Sequence, residues 1–113
     1  MNQEVKRTFN GWSNYQTWAV NLWITNEQSS YSYWRDRTKV LVRESAAGDK
    51  GHSALATLAD EIREAIEEEC AIPKANLAAD LMNAALAEVD WHEIAQGLVN
   101  DAFGTTILPL EED

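Results

Sequence analysis

"SNYQTWAVNLW", residues 13–23, gathers two tryptophans, a tyrosine and three aliphatic side chains into one uncharged run. The opening Ser13-Asn14-Tyr15-Gln16 has the form of a capping box, in which the Ser13 hydroxyl accepts from an early amide and Gln16 reaches back. On a 3.6-residue period Tyr15, Trp18, Ala19 and Leu22 share one face, with Trp23 on its flank and Val20 and Ile24 on the far side. Thr17, Asn21 and Thr25, four apart, form the only polar strip. A helix apolar over most of its circumference is buried by neighbours on several sides, so the stretch predicts one helix of a bundle.

Outward from it the same periodicity continues. After a break over residues 26–30, a second helix is expected from about Ser30 to Ala47, with Tyr31, Trp34, Leu41 and Val42 for the core. Gly48 stops it, and "GDKGH" is the clearest loop in the chain. From Ser53 a third helix places Leu55, Leu58, Ala59, Ile62, Ala65 and Ile66 at i, i+3, i+4 spacing, and Pro73 ends it. A fourth, about Lys74 to Glu88, is alanine-rich with Leu77, Leu81, Ala84 and Ala85 on one side. The fifth opens at "VDWHEIA", where Asp90 caps, Glu93 completes the box and Val89 staples to Ile94. No segment reads as a strand. The expected fold is all-α: one compact domain over 1–113 of about five helices, with an N-terminal arm (1–12) and a short extended acidic tail (104–113) pinned by Phe103 or Ile107.

The chain has 113 residues, 45% of them hydrophobic, which suffices for one core without metal or disulfide staples. A lone cysteine, Cys70, forms no internal disulfide and suits a reducing compartment. "MNQEVKRTF" lacks the apolar run of a secretory signal, and polar residues interrupt every apolar stretch before membrane-spanning length. A soluble protein of the bacterial cytoplasm is expected. Its net charge of −10 is uneven: residues 1–43 carry six basic against three acidic side chains, residues 44–113 three against sixteen. Such a chain is repelled by nucleic acid and anionic membranes, so direct binding to either is disfavoured.

Sites for chemistry are scarce. "WHEIAQ" approaches the zinc pattern H-E-x-x-H, but Gln96 stands where the second ligand belongs, and the other histidine, His52, lies in a loop. A nucleophilic pairing of Cys70 with either histidine competes with the plainer reading of a cysteine buried at a helix end. The five glycines fit no phosphate or dinucleotide fingerprint. The expectation is no catalytic residue, no metal and no cofactor.

Charge and aromatic patterning say more. Asp60, Glu64, Glu67 and Glu68 fall at i, i+4, i+7 and i+8, opposite the third helix's apolar stripe. Such a ridge can imitate nucleic-acid phosphate; the plainer reading is the solvated face of an amphipathic helix. Arg35, Lys39 and Arg43, at steps of four, make a basic ridge on the second helix. Pairing with the acidic face in cis needs less invention than an acidic partner in trans. Eight of ten aromatic residues lie between Phe9 and Trp34. Packing accounts for Tyr15, Trp18, Tyr31 and Trp34, whereas Trp12, Trp23 and Tyr33 are expected near the surface, where Trp and Tyr serve as protein-binding anchors. Base stacking would need basic charge beside them, and residues 8–26 have none.

The run "GWSNYQTWAVNLWITNEQSSY" resembles the opening of a group of small proteins carried by phages, plasmids and other mobile elements of bacteria. Their pattern N-Y-x-T-W-x-V-x-L-W-x-x-N is matched by Asn14, Tyr15, Thr17, Trp18, Val20, Leu22, Trp23 and Asn26. A second motif is matched by Val89, Asp90, Trp91, Ile94 and Ala95, and together they cover about a third of the chain. The resemblance implies a setting in which small acidic proteins block host defence complexes, such as a CRISPR effector, by occlusion or nucleic-acid mimicry. The resulting expectation is a non-enzymatic binding protein with Asp60, Glu64, Glu67 and Glu68 as ridge and Trp23 and Tyr33 as anchors. The alternative is an accessory or regulatory protein that forms a homodimer or binds an element-encoded partner through the basic ridge.

Overall fold

The structure is a computed structural model that describes residues 8–45, 48–49 and 51–104. Residues 1–7 of the expected arm, 105–113 of the expected tail and the expected second-helix end at Ala46 and Ala47 lie outside the described residues. Five helices follow in order: α1 (Tyr15–Asn26), α2 (Gln28–Glu44), α3 (His52–Glu69), α4 (Leu77–Ala87) and α5 (Trp91–Phe103). Among the described residues there is no strand, so the fold is all-α. An Asn10-Gly11 turn, both residues at positive φ, folds Trp12 back to exchange two 2.8 Å backbone hydrogen bonds with Phe9.

The core grows from α3 and α5, which make the most extensive contact, with α2 packed across both. Leu55, Leu58 and Ile62 of α3 meet Ile94, Ala95, Leu98 and Val99 of α5, and Trp34 closes the cluster from α2. Of the expected α3 stripe, Leu55, Leu58, Ala59 and Ile62 are buried, Ile66 is half-buried and packs against the core, and Ala65 is exposed. The Val89–Ile94 staple is buried as expected, with the Asp90 side chain capping α5 by accepting from Glu93 N–H at 3.0 Å.

The start of α1 is tied to the start of α5, and here the structure corrects the sequence reading. The α1 cap is Asn14, not Ser13: its Oδ1 accepts from Thr17 N–H at 2.8 Å while its amide donates to the Glu88 carbonyl at 2.7 Å. Glu93 does not reach back within its own helix. Its carboxylate accepts from the Ser13 amide at 3.2 Å and the Ser13 hydroxyl at 2.6 Å. The Asp90 N–H that Glu93 would have taken donates instead to Thr17 Oγ1 at 2.9 Å. The capping box is thus shared between two helices.

These ties set the rotation of α1. Thr17, fully buried, and Ile24 face the core, with Val20 packed against it, while Tyr15 and Leu22 point to solvent. Burial on several sides is therefore not what forms: of the face that carries Tyr15, Trp18, Ala19 and Leu22, the first and last are exposed and Trp18 and Ala19 half-buried, because the Thr17 hydroxyl is required inside. Tyr15 does not join the core. It forms an outer aromatic cluster with Phe9 and Trp18, at centroid distances of 4.8 to 5.5 Å. Trp12, expected near the surface, packs against the core beside Gly97, where a Cβ would stand 3.1 Å from its ring.

Thr17 and Thr38 are both completely buried, yet they differ in what their loss would strand. Thr38 Oγ1 donates to the Trp34 carbonyl one turn back, a group already engaged in α2. Thr17→Val leaves a part-buried N–H without an acceptor, so urea unfolding should show a loss of about 1–3 kcal/mol. Thr38→Val should cost under about 1 kcal/mol.

Candidate binding surface

Both motifs singled out in the sequence serve this interlock: Asn14 and Thr17 from the first, Val89, Asp90 and Ile94 from the second. Asn14, Thr17 and Asp90 are spent on helix ends. The charged and aromatic residues singled out in the sequence lie elsewhere: on the outer face of α3, on the charged side of α2 and at the groove beside Trp23.

On α3, Asp60, Glu64, Glu67 and Glu68 are all exposed, as expected of side chains opposite a buried stripe. None forms an ion pair with a described residue. The neighbouring Glu61 differs. It flanks the core stripe, leans toward α2, and takes Arg37 in a bidentate pair with Nε–Oε1 at 2.8 Å and Nη2–Oε2 at 2.7 Å. Arg37 therefore makes the α2–α3 ionic contact, and the Arg35–Lys39–Arg43 ridge does not. Sequence reasoning missed Arg37 because it lies off the four-residue step; the signal available was Glu61, a carboxylate next to the core residue Ile62. Hydrogen bonding to Arg37 holds the Glu61 carboxyl below its ordinary range. The same bond raises the Arg37 guanidinium.

Arg35 is half-buried, with its Nε buried and without a hydrogen bond. It lies near Tyr31, whose hydroxyl donates to Asp101 Oδ2 at 2.5 Å, and that hydrogen bond raises the phenol above its usual range. Lys39 is half-buried and only Arg43 is fully exposed. The basic ridge is thus not a continuous outward surface.

Trp23 is 76% exposed, at the edge of a groove of about 640 Å³ between α1 and the last turn of α3. Ala19, Val20, Ile24 and Ile66 make its apolar walls, and Glu27, Ser30, Glu69 and Cys70 complete the lining. Burial, then the nearby Glu69, pushes the Cys70 thiol up. An isolated exposed tryptophan is ordinary; Trp23 differs in standing beside an apolar groove. Tyr33 is 56% exposed and stacks edge-on against buried Trp34, on α2 near Arg37. Of the residues singled out in the sequence, Trp23 shares its groove with Ile66 and Glu69 of the last turn of α3 and with no member of the acidic ridge, Glu67 lines the separate groove toward α4, and Tyr33 stands on α2.

His52 and His92 are exposed on different helices. Among the described residues no group of three or more His, Cys, Asp or Glu is placed to hold a metal ion, and no helix is long and apolar enough to cross a membrane.

The chain belongs to the family of unknown function DUF7249, whose model matches residues 5–101 and so spans both motifs and nearly all of the five helices. No curated protein and no solved structure matches it.

The Arg37–Glu61 pair has a pH signature. With its folded value depressed, Glu61 contributes stability that is fully present above the ordinary carboxyl value of 4.5 and is lost as pH falls through the lower folded value. The stability difference between wild type and Glu61→Gln should be constant above about pH 5 and shrink steadily in more acid solution, read from urea midpoints. A difference that grows on acidification would contradict the pairing.

Proposed function

We propose that this chain is a non-enzymatic binding protein of a mobile genetic element, acting in the bacterial cytoplasm, that inhibits a host nucleic-acid-targeting defence complex such as a CRISPR effector. Two features of α3 support the reading: four exposed carboxylates, none ion-paired with a described residue, run along its outer face, and its last turn borders the Trp23 groove through Ile66 and Glu69. A surface of this kind suits a protein partner that is basic where it holds nucleic acid and offers one apolar side chain beside that region. Carboxylates at this density compete for a basic channel by occupying it, and a partly exposed tryptophan supplies the apolar anchor that charge alone lacks. The resemblance of the two motifs to phage and plasmid proteins supplies the setting. The alternative assembly through the basic ridge has less support, since Arg35 and Lys39 are half-buried.

The test is co-purification with nuclease-treated host defence complexes, scored against protection of a phage or plasmid from those complexes. Asp60→Lys/Glu64→Lys/Glu67→Lys together should abolish both capture and protection while leaving the helical circular dichroism unchanged. Trp23→Ala should weaken capture by about tenfold or more. Wild-type capture should fall steeply with salt, and a bound partner should further slow alkylation of Cys70. Capture that the triple variant retains in full would sink the reading.

A further inference from the structure

Helix α4 is apolar on two opposite faces, and only one has a partner. Ala79, Met82 and Leu86 turn inward and are half-buried, although α4 makes no extensive contact with any other helix. Even this inner side is loose: its C-terminal end faces α3 across a groove of about 710 Å³. Leu77, Leu81 and Ala84, at i, i+4 and i+7, point to solvent, with Leu77 72% and Leu81 61% exposed. The sequence places these leucines on one side of the helix; among the described residues nothing covers that face.

We propose that a second copy of this chain covers it, through antiparallel pairing of α4 with α4 about a two-fold axis near Leu81 and Ala84. Three observations select that occupant. The stripe has 4-3 spacing, the seam of paired helices, and sets a small residue one turn from a large one, so that Leu81 of one copy lies over Ala84 of the other. Lys74 stands just before the helix and Glu88 just after it, so antiparallel pairing sets each lysine opposite the other copy's glutamate; parallel pairing would set like charges together. Residues 71–87 carry one lysine and one aspartate and are neutral, which lets two chains of net charge −10 meet without strong repulsion. The contact is closed and self-complementary, as a two-fold interface requires. An 11-residue helix offers much less than the ~800 Å² per partner of a standard interface, so the association is weak and reversible.

Sedimentation equilibrium of the full chain from about 1 μM to 1 mM should show a reversible monomer–dimer equilibrium. Leu81→Glu should weaken it by at least about tenfold with unchanged helical circular dichroism, since that side chain contributes little to the single chain's core. Leu77→Gln, which adds no charge to the helix, should weaken it in the same direction. Lys74→Glu and Glu88→Lys should each weaken dimerisation, and the double exchange should restore it. A wild type that stays monomeric throughout overturns the proposal. So does a dimer indifferent to Leu81→Glu, which would place the contact elsewhere, or a charge exchange that fails to restore, which would exclude the antiparallel register.

Discussion

Two helix N-termini meet in this molecule, and the carboxylate of Glu93 makes that meeting tolerable. Each terminus exposes unpaired amides and the positive end of a macrodipole, so bringing α1 and α5 together start to start is unfavourable without an anion and a set of acceptors. Glu93 lies in the first turn of α5 and accepts from Ser13, immediately ahead of α1. Asn14 caps one helix, Asp90 the other, and Thr17 takes the amide that remains. Because these partners are separated by more than seventy residues, the interlock forms only when the whole bundle does. It also dictates which side of α1 faces inward, and hence that Tyr15 and Leu22 face solvent and that Trp23 stands at the surface.

The sequence was legible where local periodicity and burial agree. In α3 the apolar residues recur at helical spacing, and no polar group within the stripe competes for the core. In α5 the cap, the third-position glutamate and the staple are local features, so its start could be located from a few residues. The orientation of α1 was not legible, since a threonine strip reads as solvated unless the distant amide it serves is known. The same blindness applies to Glu93, whose chemistry fits a local capping box as well as the shared one. For α4 the pattern showed that Leu77, Leu81 and Ala84 lie together, but not whether another element of the same chain reaches them. Of the candidate site, the exposure of the acidic ridge followed from its position opposite the core. The groove beside Trp23 did not, because it is a property of how α1 and α3 end next to each other.

The charge distribution on α3 runs against what helix stability alone would select. Asp60 and Glu64, Glu64 and Glu68 repel at i, i+4 spacing by a few tenths of a kcal/mol per pair. Glu67, Glu68 and Glu69 crowd the C-terminal turn, where the dipole favours cations and no basic residue is present. Burial of Leu55, Leu58 and Ile62 offsets these costs but does not explain them, since lysine would serve the same solvated positions with better electrostatics. The one basic side chain that crosses from α2 goes to Glu61, at the inner edge, and leaves the outer carboxylates uncompensated. Local rules broken without a structural return are expected where a surface serves something outside the chain. The breach is greatest in the last turn of α3, where Glu69 borders the groove beside Trp23 and Glu67 the groove toward α4.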